Sequence, residues 1–113
     1  MKALSQYGAN ADGGVSRVVF SEADIGGREY IMNLMREAGL VVSWDTAANI
    51  IGRREGTELG SAVIMFGSHI DSVPSGGNYD GDVGVIGAIE VAQLLNEGGI
   101  RTKHAIEVVS FTD

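Results

Sequence analysis

Four side chains in the second half of the chain, His69, Asp71, Asp80 and Asp113, have the chemistry to hold or serve a divalent cation. A neutral imidazole and carboxylates are ordinary ligands for zinc or manganese, and a His-x-Asp spacing lets the neighbouring carboxylate orient the ring. Gly76, Gly77 and Gly81 lie in the stretch between His69 and Asp80 and give its backbone the freedom to fold back, so that the two could meet. The same residues also read as a solvated acidic turn. A calcium loop fits less well. Asn78, Asp80 and Asp82 alternate as such a loop requires, but Val83 stands where the sharp turn needs glycine, and no glutamate closes the loop.

Convergence of these residues requires elements that carry them to one place. Ala62 to Phe66 is a continuously apolar run bounded by Gly60-Ser61 and Gly67-Ser68, which predicts a strand buried on both faces. A loop is expected from Ser68 to Gly81. Val85, Ile86, Ile89, Ala92 and Leu95 then recur at helical spacing, predicting a helix from about Val83 to Glu97 stopped by Gly98-Gly99. Asp82 reads as a cap for that helix or as a supporting group near the site. Ile106 to Phe111 is expected as a last strand, leaving an apolar edge open. If the two strands run parallel, their carboxyl ends share a rim, and ligands of open α/β sheets bind outside that rim.

Upstream, Val15 to Phe20 suits a short extended arm. Ser21 followed by Asp24 resembles a capping box, and Tyr30, Ile31, Leu34, Met35 and Ala38 lie on one face of the helix it opens, which Gly39 ends. Leu40 to Trp44 and Asn49 to Arg53 read as strands about a turn at 45–48. Trp44, Met32, Met35 and Met65 are expected in the core. The fold class is α/β.

Composition narrows the function classes. A chain of 113 residues with 44% hydrophobic and 20% charged residues is the size and balance of one globular unit. Its net charge of −7 argues against nucleic acid or an anionic membrane as partner, since both call for a basic face. With no cysteine, thiolate metal sites and disulfides are excluded. No stretch is long and apolar enough for a transmembrane helix, and a cytoplasmic location is the default expectation.

Gly67-Ser68-His69-Ile70-Asp71-Ser72-Val73-Pro74-Ser75-Gly76-Gly77-Asn78-Tyr79-Asp80-Gly81 resembles the first metal motif of the allantoate amidohydrolase and N-carbamoyl-L-amino-acid hydrolase family, the hydantoinase/carbamoylase group of binuclear zinc peptidases and deacylases. Gly13-Gly14-Val15-Ser16-Arg17 resembles the family's N-terminal segment. Asp45 to Asn49 with Gly52-Arg53 resembles its strand pair, and Glu107 to Asp113 the strand that delivers its next catalytic motif. Ala48 departs from the pattern, standing where the family usually has glycine.

The resemblance implies the rest. Residues 1–113 would be the N-terminal part of a partial three-layer α/β/α catalytic domain with a mainly parallel central sheet. The remainder, including an inserted dimerisation lid, would lie outside the chain. His69 would be a terminal metal ligand, and Asp80 would bridge two divalent metal ions (zinc, manganese or similar) per intact subunit. Asp71, the catalytic-site residue, would hydrogen-bond to the His69 ring. The Asp80–Gly81 peptide would be a candidate for the cis form. Two glutamates expected directly after Asp113, one of them the general base, are not in this chain, which is therefore expected to be inactive alone. The implied function is hydrolysis of a C–N bond in a small ureido or amide substrate by a homodimeric parent. The alternative is a non-catalytic binding or interaction module derived from the fold.

Overall fold

Ser21 Oγ accepts a hydrogen bond from the Asp24 N–H (3.2 Å), and the Asp24 carboxylate accepts one from the Phe20 N–H (2.9 Å). This reciprocal cap starts helix α1, Glu22–Glu37. In the computed structural model, which describes residues 1–113, Ile31 and Met35 form the buried stripe of α1, and Gly39 turns the chain out of the helix at φ 87°. Strands β1 (Val41–Trp44) and β2 (Ile50–Arg54) follow as an antiparallel hairpin. The Asp45 carboxylate closes their turn by accepting from the N–H groups of Ala47 (2.9 Å) and Asn49 (3.0 Å). Strand β3 is Ile64–His69, helix α2 is Asp82–Glu97 and strand β4 is Ile106–Phe111. A short 3-10 turn, Leu4–Gln6, precedes them all.

The sheet order is β1-β2-β4-β3. Only β3 and β4 pair in parallel; β2 pairs antiparallel with both β1 and β4. The α/β class stands, but within these residues the sheet is mixed rather than mainly parallel. Both helices join one face of it in a cluster of 13 buried residues, including Ile31 and Met35 from α1, Val85, Ile89 and Ala92 from α2, and Ile50, Ile106 and Val108 from the sheet. These elements supply two of the three expected layers.

Four burial expectations are corrected: the open edge at β4, the two-sided burial of β3, and the core placement of Met65 and of Trp44. β4 is an interior strand, with Val108, Val109 and Ser110 inaccessible, and does not present the open edge. That edge belongs to β3, whose Ile64 and Met65 are about half exposed, so the strand is not buried on both faces. Trp44 is likewise exposed rather than in the core, because β1 forms the opposite edge.

Candidate metal centre at the β3–β4 rim

Parallel register sets the site. His69 pairs with Phe111, so Thr112 and Asp113 leave the sheet beside the residues that follow β3. Asn49 Oδ1 accepts the Thr112 N–H (2.8 Å), anchoring this rim to the hairpin turn. Close strand contact is possible because of Gly67: a Cβ there would lie 1.8 Å from the Val109 carbonyl oxygen.

At the end of β3 the His69 ring is half-buried. Its Nδ1 lies 3.0 Å from the main-chain oxygen of Asp71 and 3.4 Å from Asp71 Oδ1. The carbonyl, not the carboxylate, is therefore the hydrogen-bond acceptor for the ring. A proton on Nδ1 leaves the Nε2 lone pair free of any protein partner. Asp71 Oδ1 is buried without a hydrogen-bond partner.

The chain returns to His69 at Gly81. A Cβ on Gly81 would lie 2.5 Å from both Cε1 and the carbonyl oxygen of His69, and φ at Gly81 is +74°. The Gly81 backbone is thus packed against the imidazole, and Asp80 is the residue that precedes it in the chain. The Asp80 carboxylate is exposed. The Asp80–Gly81 peptide is trans, since the chain contains no cis peptide bond, which corrects the sequence expectation. One turn further on, Gly84 lets α2 press on β3, where a Cβ would come within 2.5 Å of Ser68 Cβ.

The loop between His69 and Gly81 is held by the N-terminal arm. Val15 and Gly76 exchange both main-chain hydrogen bonds (2.9 and 2.7 Å), and Asn78 Nδ2 donates to the Gly13 carbonyl (2.9 Å). Asp82 is not the helix cap. Gly81 occupies that position, and Asp82, the first residue of α2, makes a buried ion pair with Arg17 at 2.7 Å. Burial pushes the Asp82 carboxyl above its ordinary value, and the Arg17 charge partly offsets this. In the sequence Arg17 stands out only as the last residue of the Gly13–Arg17 motif, with no role of its own. The available signal was a lone cation inside the apolar stretch Val15 to Phe20.

As donors, His69 and Asp80 suit a divalent cation. They make only part of a coordination shell, since no group of three or more His, Asp or Glu side chains converges. Asp113 reaches the same rim without completing one. The largest concavity, about 470 Å³, flanks Asp80 through Asn78 and Tyr79 but does not include His69.

A sequence profile of peptidase family M28 matches residues 49–113. The N-carbamoyl-L-amino acid amidohydrolase of Geobacillus stearothermophilus is 46% identical over 110 residues, covering 97% of this chain and 27% of that protein. A ureidoglycolate hydrolase of Oryza sativa subsp. japonica is 43% identical over 98 residues, 87% of this chain and 20% of its own length. Among solved structures, a hydantoinase/carbamoylase family amidase from Burkholderia multivorans superposes with a TM-score of 0.95 at 42% identity, over 99% of this chain and 27% of that one. The chain thus spans about a quarter of the length of these relatives.

Proposed function

Because the chain belongs to peptidase family M28, with amidohydrolases of carbon–nitrogen bonds among its relatives, we propose that it forms the first metal-binding part of an amidohydrolase catalytic domain acting on a small ureido compound. An N-carbamoyl-L-amino acid or allantoate is the substrate class this reading favours. The observation that supports it is a histidine with an uncommitted ring nitrogen at the end of β3, against which the loop after Asp80 returns. His69 has Nδ1 tied to Asp71 and Nε2 free, and Gly81, the residue after Asp80, is packed on the ring.

In this reading His69 Nε2 and the Asp80 carboxylate would each hold a share of a divalent metal site, Asp80 in the bridging role that the family resemblance implies. Zinc, manganese or a similar ion supplies Lewis-acid polarisation of the substrate carbonyl and a more acidic water when bound. The chain's own part is positional. Asp71 fixes the ring tautomer through its carbonyl and keeps a carboxylate 3.4 Å from Nδ1. The reading carries with it a homodimeric, cytoplasmic protein, for which the family resemblance is the support.

In a protein bearing this chain at the full length of its relatives, His69→Ala and Asp80→Ala are expected to remove nearly all hydrolysis and to lower bound metal. Asp71→Asn is expected to retain more metal than Asp80→Ala. Full metal occupancy in Asp80→Ala would overturn the bridging role. The 113-residue chain by itself is expected to release no ammonia from N-carbamoyl-amino acids or allantoate, because no three ligands converge in it. Turnover that a chelator abolishes, and that His69→Ala lacks, would contradict this.

A further inference from the structure

Arg17 is the largest of the fully buried side chains, 1% exposed, and every polar group it contacts belongs to a segment bordering the rim or the N-terminal turn. Its Nε donates to the Ile70 carbonyl (2.6 Å), one residue beyond His69. Nη2 donates to Asp82 Oδ2 (2.7 Å), two residues beyond Asp80. Nη1 donates to the carbonyls of Leu4 (2.9 Å) and Tyr7 (2.8 Å). The Arg17 main chain is bound as well: its N–H donates to Ser72 Oγ (2.8 Å), and its carbonyl accepts the Ser72 N–H (2.7 Å). Helix α1 closes over the stem at Gly27, where a Cβ would meet Arg17 Cδ at 3.0 Å.

A rigid planar fork that grips both ends of one loop sets the separation of those ends. Here the ends carry His69 and Asp80. We propose that Arg17, with Asp82 as its counter-charge, is a positioning residue for the candidate centre: it holds the Ile70 and Asp82 ends of the loop in register, so that His69 keeps one tautomer and the Asp80–Gly81 segment stays against its ring. The proposal rests on the ligand assignment above for its metal consequence, but its geometric core does not. Lysine cannot replace this function, because a single ammonium on a flexible stem cannot span Ile70, Asp82 and the two N-terminal carbonyls with a fixed geometry.

The test compares Arg17→Lys, Asp82→Asn and His69→Ala in the full chain by three readouts: imidazole nitrogen NMR of metal-free His69, segment-resolved hydrogen exchange, and zinc titration. Wild type is expected to show a single His69 tautomer with the proton on Nδ1. Arg17→Lys should show mixed tautomers, faster exchange over residues 70–82 with the β1–β2 hairpin still protected, and zinc binding at least about ten-fold weaker, a loss within the range seen when partners that orient metal ligands are removed. Asp82→Asn keeps an acceptor oxygen for Arg17, so it folds if Arg17→Lys does not, and should shift the same readouts in the same direction. The proposal is overturned if a folded variant keeps the wild-type tautomer and loop protection, or if both variants lose protection throughout the fold, which would make the pair a folding element only. Unchanged zinc binding in His69→Ala would instead refute the ligand assignment, leaving the tautomer and exchange data to decide the role of Arg17.

Discussion

A methyl group at Gly81 would collide with His69 at Cε1 and at the carbonyl oxygen while holding φ at +74°. Gly81→Ala is therefore expected to cost about 1–3 kcal/mol of stability from backbone strain, and to displace the imidazole as well. Denaturant unfolding checks the first effect and the His69 ring nitrogen shifts the second; an unmoved ring would show that the contact has slack. The opposite experiment exists at Ala48. It stands at φ +65° in the hairpin turn, with its carbonyl accepting from the Arg28 guanidinium. Glycine relieves the left-handed strain but frees the unfolded chain, so Ala48→Gly should gain a net of about 0.5–1 kcal/mol. A lower melting temperature would contradict it. Both positions were visible in the sequence, as a glycine in the metal-like motif and as a departure from the resembled family. Which glycine mattered was not. Gly77 has open space around it, and among the glycines of that motif only Gly81 has both the positive φ and the close approach, a distinction that depends on tertiary contact.

Helical periodicity transferred well from sequence to structure because it reports a single local face. The inward residues named for α2 are buried or packed on the core, and the Ser21–Asp24 cap forms. Strand limits transferred less well. The apolar run at Ala62 suggested a strand ending at Phe66, whereas pairing with β4 carries β3 through Gly67 and Ser68 to His69. A backbone ladder is indifferent to polarity. The Arg17–Asp82 pair was illegible for a similar reason, since 65 positions separate its members and no local pattern links them. At the start of α1, burial pushes the Asp24 carboxyl above its ordinary value despite the bond from Phe20 N–H and the nearby Arg28 charge. The raised folded value means that the folded state holds this proton more tightly than the unfolded chain. The Asp24 contribution is thus fully present below the unfolded pKa and is lost as pH rises through the folded one. Asp24→Asn keeps an acceptor for Phe20, so it should be more stable than wild type near neutral pH, with that advantage gone in acid. Urea titrations at the two pH values test this, and an advantage that persists unchanged in acid would point to packing instead.

The molecule as a whole leaves both strand edges, β1 and β3, and one sheet face without cover. β3 lies at the end of the sheet with Ile64 and Met65 about half exposed. By strand alternation Met65 shares the face opposite the helices with Phe111, which is also exposed. The sequence pointed to an open apolar edge but assigned it to the last strand. Only the order β1-β2-β4-β3 reveals that β4 is inserted between β2 and β3, and strand order is a non-local property. An unprotected edge carrying apolar side chains is a template for pairing with a second copy. Covering a large apolar side chain fully is worth roughly 1.5–3 kcal/mol, which is substantial beside the about 5–15 kcal/mol that holds a small domain together. The 113-residue chain is accordingly expected to self-associate with rising concentration, and Met65→Lys to suppress this, since a lysine on an edge strand opposes its like in a paired copy. Sedimentation velocity over a hundred-fold concentration range measures both. The parallel ladder of β3 and β4 runs from Ile64 to His69, so a copy docked on β3 would order the strand that carries the candidate ligand. Association should therefore raise exchange protection at 64–69 before it affects the β1–β2 hairpin. A wild-type chain that stays monomeric throughout, or association that Met65→Lys leaves untouched, would place the sticky surface elsewhere than on this edge.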